Sequence, residues 1–246
     1  MAKAIQKTGQ TGLSVLEQEI AAEAREDATR FQQGTPRISF KGGTITVDGA
    51  RAKDNKLSVA IISATFGKAY YVSEFTPDTP QTPACYAFHP TDATKAVPHE
   101  AAPLKQAAAC LACPHNKFGT AERGGGKRCK DEVRLMVVAP TGNDIAGAEV
   151  RMLSIPPGSL KNWGKYVSRL ADMGVTFRSV MTEVSVEPYK GAYQIQFNPV
   201  GKLSEDAYLA LRARRESATE QSMQPYPVLE ESEKPKRPAK SNKKID

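Results

Sequence analysis

At 246 residues the chain is long enough for one sizeable domain with extensions, and its 40% apolar content supports a packed core. No run approaches the 18 or more apolar residues of a membrane-spanning helix, the longest lying at 59–62 and 135–139. A net charge of +7 and a pI near 9.2 favour anionic partners, nucleic acid first and an acidic membrane face second.

Residues 1–12 are polar. From 13 to 33 the pattern is helical: Ser14 and Glu17 form a capping box, and Leu13, Leu16, Ile20, Ala24, Ala28 and Phe31 fall near one face. Gly34 and Pro36 end it. A β-rich stretch follows, with a hairpin of 37–40 and 44–48 around Lys41-Gly42-Gly43, then strands at 57–62 and 68–75 joined near Gly67. Between 77 and 131 the strand pattern stops in a Pro- and Gly-rich excursion, too long to be ordered unless something staples it. Strands resume at 133–139 and 149–155. A helix over 160–173 turns Trp163, Tyr166, Val167 and Leu170 inward, with Gly174 after it. Two strands, 177–186 and 193–198, precede a helix over 205–221 capped by Ser204, with Tyr208, Leu209 and Leu211 inward. After Met223 the Pro-, Glu- and Lys-rich composition predicts a disordered charged tail. The expected organisation is therefore an N-terminal arm and helix over 1–35, a core over 36–222 and a tail over 223–246.

The excursion carries all four cysteines of the chain, Cys85, Cys110, Cys113 and Cys129, spaced C-x24-C-x2-C-x15-C. A two-residue knuckle lets Cys110 and Cys113 point at one ion, and the outer pair completes a tetrahedral S4 site for a single structural Zn²⁺. Four thiolates leave no open position for a catalytic water. Among the competing readings, disulfides need an oxidising compartment, and the N-terminus shows no apolar leader stretch. Unrelated buried thiols would be scattered, and a redox C-x-x-C belongs at a helix start in a βαβ unit, which is not visible. His89, His99 and His115 lie nearby, with His89 or His115 the first substitutes for Cys85. Solvent-facing loop histidines are the plainer expectation.

No Ser-His-Asp pattern, Walker loop, H-E-x-x-H or G-x-G-x-x-G after a strand is present, and no carboxylate group suggests a two-metal nuclease. Gly124-Gly125-Gly126-Lys127 lacks the spacing and the Ser or Thr of a phosphate loop. An enzyme is not expected. Lys117, Arg123, Lys127, Arg128, Lys130 and Arg134 fall within 18 residues and, with three acids among them, leave three net positive charges. Phe66, Tyr70, Tyr71 and Phe75 precede the excursion, and Tyr86, Phe88 and Phe118 lie within it. Cations tracking phosphates beside aromatic faces that stack on bases is how single strands are gripped. Tyr70 and Tyr71 must point to opposite faces of a strand, so at most one lines a groove. The nucleic-acid contacts expected are Lys117, Arg123, Lys127, Arg128, Lys130, Arg134, Phe66, Tyr70, Tyr71, Tyr86 and Phe118.

Strand count with one helix inserted late suggests a mainly β (α+β) fold, an OB-fold-like Greek-key barrel with a zinc-binding insertion, an N-terminal helix and a C-terminal helix. The motifs Pro36-Arg37-Ile38-Ser39-Phe40, Pro83-Ala84-Cys85-Tyr86, Cys110-Leu-Ala-Cys113-Pro114-His115-Asn116-Lys-Phe118-Gly119 and Gly126-Lys127-Arg128-Cys129-Lys130 resemble those of a phage-encoded, zinc-containing family similar to the OB-fold single-stranded DNA-binding proteins of phage replication. That resemblance covers roughly residues 36–200. It implies non-catalytic coating of single-stranded DNA with low sequence specificity in DNA replication or recombination, in the host cytoplasm. By position it implies zinc on the four cysteines, and replication or recombination proteins as further partners. Residues 230–246 carry six basic and four acidic side chains, unlike the acidic tips by which many such proteins recruit partners. The alternative is a phage protein-interaction module whose zinc loop docks on a host polymerase or replisome component.

Overall fold

The computed structural model describes residues 35–73, 81–122, 124–140 and 145–226, together with Ile20 and Glu23. The chain forms two units, residues 1–35 and 36–246. In the first, Ile20 and Glu23 are helical and exposed; the rest of the helix expected over 13–33 lies outside the described residues.

The second unit is mainly β, a mixed sheet curled into a half-barrel with three helices. Its strands are β1 (Arg37–Ser39), β2 (Thr46–Val47), β3 (Ala50–Arg51), β4 (Lys56–Tyr70), β5 (Cys85–His89), β6 (Cys129–Val138), β7 (Val150–Ile155), β8 (Val180–Tyr189) and β9 (Ala192–Lys202). They run in the order β3-β2-β1-β7-β6-β4-β8-β9, with β5 added to β4. All pairings are antiparallel except β1 with β7. The helices are α1 (Leu160–Asp172), α2 (Glu205–Ala213) and α3 (Arg215–Ser222).

β4 organises the curl. Its first residues, Lys56–Ala60, pair with β8, and its last five, Phe66–Tyr70, lie between β5 and β6. The register with β6 shifts between Ile61 and Ser63, and such a bulge bends and twists a strand. The strand expected at 57–62 and the first residues of that expected at 68–75 thus form one fifteen-residue strand ending at Tyr70; residues 71–73 are not strand, and 74–75 lie outside the described residues. Gly67 does not break it. Glu132 crosses directly over that glycine, where a Cβ would meet Glu132 Cγ at 2.7 Å.

Both faces of the central strands are covered, which explains the continuous apolar run at 59–62 in place of alternation. Val59 and Ile61 point into the trough with Leu135, Val137, Leu153 and Ile155, while Ala60 and Ile62 point outward with Met136, Val138 and Met152. α1 fills the trough. Trp163, Tyr166 and Leu170, at helical spacing, pack there, and the Trp163 ring meets Phe177 and Phe197 edge-on at 5.2 and 5.3 Å. The buried Tyr166 hydroxyl is satisfied by Thr182 Oγ1 at 2.6 Å. Each of these side chains contributes roughly 1.5–3 kcal/mol by leaving water.

Outside, Leu211 of α2 and Ala218 of α3 cover Ile62 and Met152. The helix expected over 205–221 is two helices, meeting at Arg214, and Leu209, expected inward, is 48% exposed. Residues 223–226, expected in the disordered tail, lie against the sheet, with the Tyr226 hydroxyl donating to Glu132 Oε1 at 2.9 Å. The tail over 227–246 lies outside the described residues. Two strands were not anticipated: β3, two residues long, and β5, inside the supposedly irregular excursion.

Candidate metal centre and basic rim

Sheet pairing does what sequence spacing does not show. Tyr70, the last residue of β4, stands opposite Cys85 on one side and Cys129 on the other, so the first residues of β5 and β6 flank one tyrosine. Cys110 opens a 3-10 turn, Cys110–Ala112, tethered by its N–H to Ala96 O at 3.1 Å, and Cys113 closes that turn on Cys110 O. All four thiols are buried and unbridged, and together they line one cavity of about 10 Å³, room for a single ion. Among the described residues no three His, Cys, Asp or Glu side chains stand at ligand geometry.

Burial pushes the Cys110 thiol up to about 11 and Cys129 to about 12, against an ordinary 9.0; Lys68 opposes the rise and the neighbouring thiols add to it. Burial also raises Cys85. Such thiols stay protonated near neutrality unless a cation claims them. The donor set fits Zn²⁺: four soft sulfurs around one small cavity. No histidine lines it. His89 and His99 each accept backbone N–H bonds at Nδ1, and His115 stacks on Tyr70 at 4.5 Å.

The wall beside the thiols is charged. Lys68, opposite Asp131 in the register, donates to Asp131 Oδ1 at 2.6 Å and Asn116 Oδ1 at 3.3 Å. Lys127 donates to Asp131 Oδ2 and, at 3.2 Å, to the same Asn116 oxygen. Asn116 Nδ2 in turn donates to Cys110 O at 2.8 Å. Burial opposes ionisation of Asp131, but the hydrogen bonds from Lys127 and Lys68 outweigh it and hold its carboxyl below the usual range.

Strand alternation splits the expected contact residues between two faces. On the cavity side, Phe66 is 39% exposed and Tyr70 is buried, its ring 5.6 Å from the Arg128 guanidinium. Arg128 also pairs with Glu122 at 2.7 Å and donates to Val72 O. At the rim Lys117 and Phe118 are exposed, Phe118 by 79%, with Lys127 Nζ 5.2 Å from its ring centre.

On the opposite face Lys130 is exposed, its ammonium on Lys127 O at 2.7 Å. Arg134 is not available to phosphate. It is 1% exposed, with its guanidinium 3.9 Å from the Phe88 ring centre and 4.5 Å from that of Tyr226. It donates to Glu132 Oε1 and to the carbonyls of Ser222 and Gln224. Tyr86, 2% exposed, packs in the same cluster against His99 and Tyr226. Tyr71 is half-buried; burial first, then the Glu132 charge, raises its hydroxyl. Arg134, Tyr86 and Tyr70 are therefore packing residues, each held by partners within the chain. Phe75 and Arg123 lie outside the described residues.

Several residues escaped the sequence reading. Lys68 and Asp131 carried no motif of their own, though Asn116 sat inside the Cys-Pro-His-Asn run. Tyr189 and Tyr193, 47% and 52% exposed, flank the β8–β9 turn, where Lys190 Nζ lies 5.4 Å from the Tyr189 ring centre. The run Tyr-Lys-Gly-Ala-Tyr, two aromatics around a cation at a tight turn, was the signal available.

No protein-family model, curated protein or solved structure matches this chain.

Proposed function

We propose that this protein binds single-stranded DNA with little sequence preference and without catalysis, as a phage replication or recombination factor stiffened by one structural zinc. The observation carrying this reading is the convergence of four buried thiols on one ion-sized cavity, with the Cys110 carbonyl tied through Asn116 to Lys127 at a rim exposing Phe118 and Lys117. Cys85, Cys110, Cys113 and Cys129 would hold the metal, which when bound supplies cross-linking of the excursion and no reaction. Asn116 ties the Cys110 turn to Lys127, and Lys127 lies over Phe118.

The connectivity supports an OB-fold-like barrel. Taken without the N-terminal strands, the order β7-β6-β4-β8-β9, with α1 between β7 and β8, is that of the five-stranded Greek key; β1 adds to the edge of β7, and the turn after it, Lys41–Gly43, meets β9 at Tyr193. In that fold oligonucleotides lie on the second and third strands and on the loops between strands one and two and between four and five. Here α2 and α3 cover the outer face of β6 and β7. That leaves the excursion between β4 and β6 and the β8–β9 turn, which expose Phe118, Tyr189 and Tyr193.

Fluorescence titration with oligo-dT at two salt concentrations tests the reading. Binding should weaken with a slope of about 0.7 per neutralised phosphate in log salt, accompanied by one zinc per chain. Absence of binding to single strands at low salt disposes of it. The second reading, a docking module for a host polymerase or replisome component, draws on Leu104 and Leu111, 54% and 69% exposed on the excursion. Capture of a host protein that survives nuclease treatment, without oligo-dT binding, would favour it.

A further inference from the structure

Lys68 is a charged side chain 6% exposed, the one buried charge on β4, and it lines the thiol cavity. Its neighbours do not neutralise it completely. Lys68 and Lys127 share the single carboxylate of Asp131, and Asn116, their other acceptor, is uncharged. The Lys68–Lys127–Asp131 group beside the cavity thus carries one net positive charge, and a partly desolvated excess charge is costly unless an opposite charge stands near.

The cavity supplies that charge only when a metal is bound. Four protonated thiols are neutral, whereas a dication inside four thiolates carries two net negative charges. Resting on the zinc reading above, we infer that Lys68 is the built-in counter-ion of an anionic tetrathiolate centre, a positioning residue that sets how tightly the chain retains a divalent metal. The geometry also explains why a lysine is tolerated here. β4 places Lys68 two residues before Tyr70, on the same face, and Asp131 directly across on β6 anchors its amine beside the sulfurs.

A scaffolding role and a counter-ion role differ in the sign of one substitution. In Lys68→Met the wall loses its excess charge, and zinc retention against a chromophoric chelator should fall about 10- to 100-fold, the usual cost of removing an outer-shell partner. Lys68→Arg, which keeps the charge, should restore most of it. Asp131→Asn removes a hydrogen-bond anchor but leaves the wall with two net positive charges, so retention should hold or tighten severalfold. A scaffold would lose affinity in both Lys68→Met and Asp131→Asn. The Co²⁺-loaded proteins should keep their sulfur-to-cobalt absorption, showing that all four thiolates still bind. Weakened retention in Asp131→Asn, or unchanged retention in Lys68→Met, overturns the inference; should Lys68→Met fail to fold, the sign for Asp131→Asn decides. Wild-type chain that takes up neither Zn²⁺ nor Co²⁺ overturns the metal reading itself, which separates the two failures.

Discussion

Two residues show why charge and aromaticity in a sequence do not identify a surface. Arg134 and Phe118 were equally plausible contacts, yet one is 1% and the other 79% exposed. Arg134 is enclosed by Phe88, Tyr226, Glu132 and two carbonyls, so Arg134→Met leaves the Glu132 carboxylate without its counter-charge, with the Tyr226 hydroxyl still donating to it. Breaking a buried pair from one side costs about 3–5 kcal/mol, and urea unfolding should show a loss of that order. The salt slope of DNA binding by the folded fraction should not change. Phe118→Ala should do the reverse, leaving stability within about 0.5 kcal/mol and costing roughly 1–3 kcal/mol of single-strand binding. A Phe118→Ala protein with wild-type affinity would remove the rim from the proposed contact.

Among the elements, the short turn Lys41–Gly43 does more than join β1 to β2. Gly43 sits at φ +74° beneath the Tyr193 ring of β9, so the sheet's N-terminal strands meet its far edge there. A methyl at this position combines an unfavourable backbone with a collision against the ring. Gly43→Ala should therefore cost more than about 1 kcal/mol in thermal or urea unfolding. Tyr193→Ala should relieve the collision, making the double variant less destabilised than the sum of the singles. Strict additivity would show that the two residues do not touch in solution. The hairpin at 37–48, the strands of β6 and β7 and the α1 helix were legible because each follows from local periodicity and turn chemistry. β5 was not. Its five residues, Cys85–His89, lie among prolines, and only pairing along the end of β4 makes them a strand. The break at Arg214 was equally hidden, since its side chain reaches the carbonyls of Ala146 and Ala148, far away in sequence.

For the whole molecule, the proposed zinc would govern how stability responds to pH. The metal-free fold holds Cys110 and Cys129 protonated up to about 11 and 12, whereas in an unfolded chain they ionise near 9. Folded chain then binds more protons than unfolded chain above that point, so the thiols' contribution is intact below about 9 and is lost as pH rises toward 11 and 12. Chelated protein should accordingly lose stability across this interval while zinc-loaded protein holds. Zinc uptake near neutrality should release protons, measurable with a pH indicator in weak buffer. A chelated protein with an unchanged melting temperature and no proton release would deny the cavity its metal.

The chain's letters alone established a basic, mainly β protein with four thiols in one window, because composition, strand periodicity and cysteine spacing are local properties. Which thiols share a cavity, which cations stay wet and which aromatics are packed away depended on the register of β4 with β5 and β6. A strand's alternation sends neighbours to opposite faces, and only long-range pairing says what covers each face.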